Sequence, residues 1–167
     1  IILLTAHRRE SHGEALRGIF RAVRRIADES DDVMIVYPVH PNPVVRTAAE
    51  EILSGHERIM LTEPLDVIAF HNLMAKSFFI MTDSGGIQEE APSLGKPVLV
   101  LRDVTERPEG VSAGTLRIVG TNEKSVYLAC KNLLCNYAEY EKMSSAENPY
   151  GDGKASKRIA DILLSES

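Results

Sequence analysis

An α/β fold with a parallel sheet and helices on both of its faces is what this 167-residue sequence predicts, and two observations predict it. Short apolar runs rich in β-branched residues recur along the chain, and each is followed by a longer stretch of helical period. The runs are residues 1–5, 33–38, 59–61, 78–82, 98–101 and 116–119. After the first, Leu16, Ile19, Phe20, Val23, Ile26 and Ala27 repeat at three and four, which puts Arg17, Arg21, Arg24 and Arg25 on the opposite, solvated face. Further helical stretches cover about 44–53, 67–76, 87–94 and 124–134, with two more near 138–143 and 155–164. Six strands alternating with helices give a doubly wound, Rossmann-like sheet, because the crossovers are nearly always right-handed and cover both faces. In the common order 3-2-1-4-5-6, strands 1 and 4 meet at the switch point, and ligands sit beyond the carboxyl ends of the strands there. Residues 5–10 and 83–90 are therefore where chemistry is expected. The first crossover lacks Gly-x-Gly-x-x-Gly, so a nicotinamide or flavin dinucleotide has no support.

With 19 Lys+Arg against 24 Asp+Glu, the formal net charge is −5. That argues against nucleic acid as a partner, whose affinity comes largely from cations displacing counterions from phosphates. A composition 44% hydrophobic and 26% charged is that of an ordinary globular domain, and the length favours one domain over residues 1–167. No apolar run approaches the roughly 18 to 20 residues of a membrane span, and the first residues lack the layout of a signal peptide. A soluble, cytoplasmic protein is expected. Cys130 and Cys135 form neither a disulfide framework nor a common metal motif, so both read as plain thiols and no metal is expected. The chain opens on Ile1 inside a buried-strand pattern, which suggests a segment of a longer protein.

Asp83-Ser84-Gly85-Gly86-Ile87-Gln88-Glu89-Glu90 follows the fourth strand and opens a helix, with Ser84 as its natural N-cap and two glycines that let a ligand approach the backbone. The free amides of a first helical turn, with the helix dipole, make an anion site. Glu90 lies about 9 Å further along the axis, where a carboxylate could accept from two sugar hydroxyls of a nucleotide. A helix whose acidic residues merely favour its dipole is the alternative. Thr5-Ala6-His7-Arg8-Arg9-Glu10 ends the first strand, where imidazole and guanidinium could meet a diphosphate and move a proton, or form an ordinary loop. His40, in Tyr37-Pro38-Val39-His40-Pro41-Asn42-Pro43, reaches the same sheet edge, although a lone histidine among prolines is more often structural. His12, His56 and His71 receive no role. Arg102-Asp103-Val104-Thr105-Glu106-Arg107-Pro108-Glu109-Gly110, after the fifth strand, reads as a long charged loop above that edge, either touching ligand or paired with itself.

These segments, with Ala91-Pro92-Ser93-Leu94-Gly95 and Asn148-Pro149-Tyr150-Gly151-Asp152-Gly153, together resemble the non-hydrolysing UDP-N-acetylglucosamine 2-epimerases. The resemblance runs in order over nearly the whole chain and corresponds to the carboxyl-terminal half of that family's two-domain GT-B fold. The family's His-Arg-Arg-Glu-Asn here ends in Ser11, a change that touches only a local turn.

The resemblance implies interconversion of UDP-N-acetylglucosamine and UDP-N-acetylmannosamine without an added cofactor, by elimination and re-addition of UDP, in cell-surface polysaccharide biosynthesis. It implies that Ser84, Gly85 and Gly86 hold the diphosphate and Glu90 the ribose. Phe70 and the backbone at Leu65 would border the uracil, and Arg107 would belong to the nucleotide site. His7 matches the family's active-site histidine. Arg8 and His40 match positions that in bacterial members contact a second, activating UDP-N-acetylglucosamine. The carboxylates that move the C2 proton belong to the amino-terminal domain, so that domain is the implied partner, with a homodimer when full length, and this chain alone should bind nucleotide and turn over nothing. Two rivals remain: the nucleotide-binding half of a UDP-sugar glycosyltransferase, and a non-enzymatic nucleotide-sugar sensor.

Overall fold

The computed structural model of the chain describes residues 1–165. The six strands are β1 (Ile2–Thr5), β2 (Ile35–Pro38), β3 (Ile59–Thr62), β4 (Phe79–Thr82), β5 (Val98–Val100) and β6 (Leu116–Ile118). They form one sheet in the order β3-β2-β1-β4-β5-β6. Every pairing is parallel. This is the Rossmann-like order expected from the sequence, with its switch point between β1 and β4. The helices are α1 (Glu14–Glu29), α2 (Pro43–Leu53), α3 (Val67–Lys76), α4 (Gly85–Glu90), α5 (Pro108–Ala113), α6 (Glu123–Cys135), α7 (Tyr137–Ser144) and α8 (Ala155–Ser165). No helix among the described residues is long and apolar enough to cross a membrane.

Alternate strand residues go to opposite faces of the sheet. Ile2, Leu4, Phe79, Met81, Leu99 and Leu101 pack on one side with the apolar stripes of α1, α2 and α6. Leu3, Ile80, Val98 and Val100 pack on the other with Met74 of α3 and with Ala91. Because both faces are covered, the strands read as continuous apolar runs instead of alternating ones. The arginines of α1 face outward as expected, but they also tie helices together. Arg17 pairs with Glu51 of α2, and Arg21 with Glu123 of α6 at 2.7 Å. Arg25 pairs with Glu29 at 2.8 Å and lies 3.8 Å over the Tyr127 ring. Cys130 sits in the core, where burial pushes its thiol up to about 12, while Cys135 is exposed.

Two stretches depart from the expected elements. The helix expected over 87–94 starts earlier, at Gly85, and tightens into a 3-10 turn over Ala91–Leu94. Pro92 has no N–H to return to the Gln88 carbonyl, and Gly95, at φ 64°, takes the left-handed conformation that ends the turn. The charged loop expected after β5 is shorter than its sequence suggested, because Pro108 opens α5 as its first helical residue. Gly110 has no room for a side chain, since a Cβ there would fall on the Tyr150 hydroxyl and the Leu116 side chain. The remainder of the loop is tied down by Arg102, which pairs with Glu10 at 3.2 Å and Glu106 at 2.6 Å. That guanidinium holds the Glu106 carboxyl down at about 2, so the pair stays ionised at any physiological pH.

Two buried contacts position the carboxyl edge of the sheet. Tyr37, at the end of β2, donates its hydroxyl to the Ala6 carbonyl at 2.6 Å and packs its ring 5.6 Å from that of Phe20. Thr5 and Thr82, opposite one another in the β1–β4 register, share a hydroxyl hydrogen bond of 2.6 Å. Thr82 Oγ1 also accepts the Ser84 N–H at 2.9 Å. Ser84 itself corrects an expectation. It occupies the N-cap position of α4 with extended backbone, but its side chain caps no helical N–H.

Ser84→Ala is therefore expected to leave stability within about 0.5 kcal/mol of wild type, whereas Thr82→Val should cost about 1–3 kcal/mol by stranding Thr5 Oγ1 and the Ser84 N–H. Urea unfolding of the two variants separates these outcomes; equal losses would contradict the hydrogen-bond assignment. Tyr37→Phe should cost about 1–2 kcal/mol at neutral pH by leaving the Ala6 carbonyl unpaired. Burial, with the nearby Asp83 charge, raises the Tyr37 phenol well above its ordinary value. The folded chain thus keeps this proton where the unfolded chain, titrating near 10, loses it. The contribution is fully present below about pH 10 and falls as pH rises further. Wild type should accordingly lose stability above pH 10 more steeply than Tyr37→Phe, as read from unfolding midpoints across an alkaline series.

Candidate functional site

The segments leaving β1 and β4 hold each other. Asp83, wholly buried, accepts at Oδ2 from the backbone N–H of His7 at 2.6 Å and of Arg8 at 2.7 Å. Arg8 Nε donates to the Asp83 carbonyl at 3.2 Å, which lays the arginine back across the start of α4. Arg107 reaches the same turn from the loop after β5. One Nη atom of each arginine lies 3.9 Å from the point a Cβ on Gly85 would occupy. Two cations thus stand over a helical turn whose amide N–H groups and dipole already favour an anion. Neither Gly85 nor Gly86 has a positive φ. A Cβ at either would meet nothing nearer than 3.7 Å, so the packing of the chain does not itself demand these glycines.

Arg107 is oriented by a chain of polar contacts. Its Nε donates to Glu89, and its backbone N–H donates to Thr105 Oγ1 at 3.0 Å. The Thr105 hydroxyl donates to the buried Gln88 side chain, whose Nε2 donates in turn to the Ser84 carbonyl at 3.1 Å. The Tyr150 hydroxyl closes the set at 3.5 Å from the Arg107 carbonyl, which gives the Asn148-Pro149-Tyr150 segment a place beneath the site.

Beside this turn lies a cavity of about 190 Å³ lined by His7, Tyr37, His40, Leu65, Phe70 and Ile87 among others. The loops after β1, β2 and β3 all contribute to it, together with α3 and α4. The His7 and His40 rings are 5.1 Å apart. His40 Nδ1 accepts the Asn42 N–H at 3.1 Å. Burial, reinforced by His7, pushes the His40 imidazole below its ordinary value, which favours its neutral form. Glu90 faces outward from α4 and hydrogen-bonds His71 Nε2 at 3.0 Å.

All the residues singled out in the sequence come to this edge. His7, His40, Leu65 and Phe70 share the cavity, Arg8 and Arg107 flank Gly85, and Ser84, Gly86 and Glu90 continue along α4. Sequence reasoning missed the supporting groups: Asp83 as a clamp on the backbone of His7 and Arg8, Gln88 and Thr105 behind Arg107, and His71 on Glu90. Position in the chain was the available signal, since Asp83 directly precedes Ser84 and His71 directly follows Phe70. Outside this site, a groove of about 590 Å³ runs between the starts of α1 and α6. Its arginine, Arg21, is already committed to Glu14 and Glu123. Among the described residues no cluster of three or more His, Cys, Asp or Glu is placed to hold a metal ion.

The family model described as UDP-N-acetylglucosamine 2-epimerase matches residues 1–164. UDP-N-acetylglucosamine 2-epimerase of Bacillus subtilis (strain 168) is 63% identical over 164 residues, covering 98% of this chain and 43% of its own length. The co-structure of S. aureus MnaA with UDP matches with a TM-score of 0.95 and 59% identity, over 99% of this chain and 45% of that one. The Neisseria meningitidis UDP-GlcNAc 2-epimerase bound to UDP-GlcNAc matches with a TM-score of 0.93 and 49% identity, over 98% of this chain and 44% of that one. The chain spans less than half the length of these relatives, but it matches them along nearly all of its own, and it belongs to the UDP-N-acetylglucosamine 2-epimerase family.

Proposed function

We propose that this chain is the carboxyl-terminal, nucleotide-binding half of a GT-B enzyme that interconverts UDP-N-acetylglucosamine and UDP-N-acetylmannosamine. The observation that carries this reading is the pair of guanidinium groups, Arg8 and Arg107, over the first turn of α4, beside a cavity lined by His7 and Phe70. The diphosphate lies against Ser84, Gly85 and Gly86, between the two arginines. Uracil enters the cavity at Leu65 and Phe70, and Glu90, freed from His71, accepts from the ribose hydroxyls. Arg8 and His40 are also the residues proposed to touch a second, activating nucleotide sugar.

Chemistry proceeds by elimination. A base takes the C2 proton, the C1–O bond to UDP breaks, and the electron pair leaves with UDP to give a 2-acetamidoglucal. UDP then re-adds at C1 while a proton returns to the other face of C2. His7 stands where negative charge grows on the departing diphosphate, so it acts on the transition state more than on the ground state. No added cofactor takes part. The groups that move the C2 proton lie on the amino-terminal domain, so this half alone is inactive. Helix α8 supports a further partner surface: none of its residues is buried, and Ile159, Ile162 and Leu164 stay more than half exposed. An 11-residue helix gains little by standing alone in water. The full-length protein is read as a cytoplasmic homodimer supplying N-acetylmannosamine units for cell-surface polysaccharide.

Calorimetry on this chain should show UDP binding more tightly than free N-acetylglucosamine, because the contacts described go to phosphate, ribose and base. Glu90→Ala and Ser84→Ala should each weaken UDP by about 1–3 kcal/mol without unfolding the chain. Sugar binding as tight as UDP, or unchanged affinity in both variants, overturns the nucleotide site. In the full-length enzyme, His7→Ala should lower kcat by about a hundredfold or more. The same enzyme turning over in deuterium oxide should label product at C2 and release traces of glycal. Unlabelled product with no detectable glycal would sink the elimination.

A further inference from the structure

The proposed reaction gives Asp83 no part, yet its carboxylate is the most completely enclosed charge at the site, with no solvent exposure. Its orientation is set from several sides. The Asp83 N–H donates to the Thr5 carbonyl at 3.2 Å, and Oδ2 takes the His7 and Arg8 N–H groups. The other oxygen, Oδ1, is buried and has no hydrogen-bond partner. His7 Nδ1 lies 3.5 Å from it. The other polar groups around it are already committed. The Tyr37 hydroxyl donates to Ala6, Arg8 Nε to the Asp83 carbonyl, and His40 Nδ1 accepts from Asn42.

A carboxylate oxygen can only accept, and a buried one left unpaired is unfavourable. A modest rotation of the half-exposed His7 ring would bring Nδ1 within hydrogen-bond range, the kind of tightening that active-site contacts undergo on ligand binding. We infer that Asp83 is a positioning residue that holds His7 as the Nδ1–H tautomer and leaves Nε2 as the nitrogen presented to the cavity. The hydrogen bond made by one ring nitrogen decides which proton the other carries. On the reading proposed above, Nε2 is then the atom that meets the departing diphosphate once it carries a proton, with the Asp83 carboxylate on the opposite side of the ring. The same carboxylate fixes the backbone from which the ring hangs, so orientation and tautomer are set by a single side chain.

The substitution Asp83→Asn tests this. An asparagine Oδ1 can keep both backbone hydrogen bonds, while its Nδ2 then faces His7 Nδ1 as a donor and favours the opposite tautomer. Long-range proton–nitrogen correlation spectra of this chain, with the His7 signals assigned by their loss in His7→Gln, should show Nδ1–H in wild type and Nε2–H in Asp83→Asn. Wild-type His7 protonated at Nε2, or a tautomer unmoved by the substitution, overturns the inference, and the wild-type spectrum decides alone should the variant not fold. In the full-length enzyme, Asp83→Asn should lower kcat about a hundredfold while UDP affinity and melting temperature stay near wild type. A matching loss of UDP affinity and melting temperature, with the tautomer unchanged, would reduce Asp83 to a structural clamp and overturn it as well. Because the inference depends on the proposed function only for the role of Nε2, the two fail differently. A tautomer switch in a full-length protein without epimerase activity would sustain Asp83 and remove the epimerase reading, whereas intact epimerisation with an unmoved tautomer would do the reverse.

Discussion

The junction of β1 with β4 is the constraint on which the rest of the site depends. Strands separated by more than 70 residues of sequence lie in direct register, Thr5 against Thr82, and the Asp83 carboxylate then binds the backbone of the segment leaving the neighbouring strand. Charge-assisted hydrogen bonds of this kind are stronger than neutral ones, and here they are shielded from water. They convert a topological crevice, which any doubly wound sheet has, into a fixed arrangement of particular side chains. Once His7 and Arg8 are held, the cavity wall and one of the two cations over α4 are in place. The second cation comes by an independent route, through Thr105, Gln88 and the Tyr150 segment.

Two groups of ionic interactions in the described residues do different work. Those of α1 link helix to helix at the surface, where individual pairs contribute about 0–1 kcal/mol each and matter mainly as a mutually satisfied set. At the carboxyl edge the balance is deliberately uneven. Asp83 spends its charge on backbone N–H groups, and Arg8 makes its hydrogen bonds with the Asp83 carbonyl, leaving much of its own charge directed at α4. An acidic protein can in this way carry a local anion site, because net charge governs the distant field while the nearest groups decide the contact.

Strand order, the covering of both sheet faces and the edge where the candidate residues gather were readable from the sequence, because covered parallel strands must be apolar throughout and a doubly wound topology leaves only one switch point. The site loops were readable as a set for the same reason. Features dependent on side-chain direction were not. Ser84 has the residue type and position of an N-cap, but its side chain caps no helical N–H, and the Thr82 hydroxyl accepts the Ser84 backbone N–H instead. Helix α5 was hidden because six residues rich in Pro, Glu and Gly carry no periodic signal, while its stability comes from contact with β6 and Tyr150. Asp83 was visible as a letter in a motif, but its function as a clamp follows only from the β1–β4 register.

The neighbouring imidazoles show how the fold distinguishes residues of the same chemical type. His7 and His40 sit 5.1 Å apart on adjacent loops, close enough that two protonated rings would repel. The fold resolves that conflict by unequal surroundings. His40 has its Nδ1 lone pair occupied by a backbone N–H, and burial further disfavours its charge. His7 faces an ionisable carboxylate with an unpaired oxygen. Of the two rings, His7 is the one joined through its backbone to Asp83. His40 thus lines the cavity with its charged form disfavoured, beside the aromatic and apolar wall formed by Tyr37, Leu65 and Phe70, and the two imidazoles of one cavity are set apart by what each ring nitrogen faces.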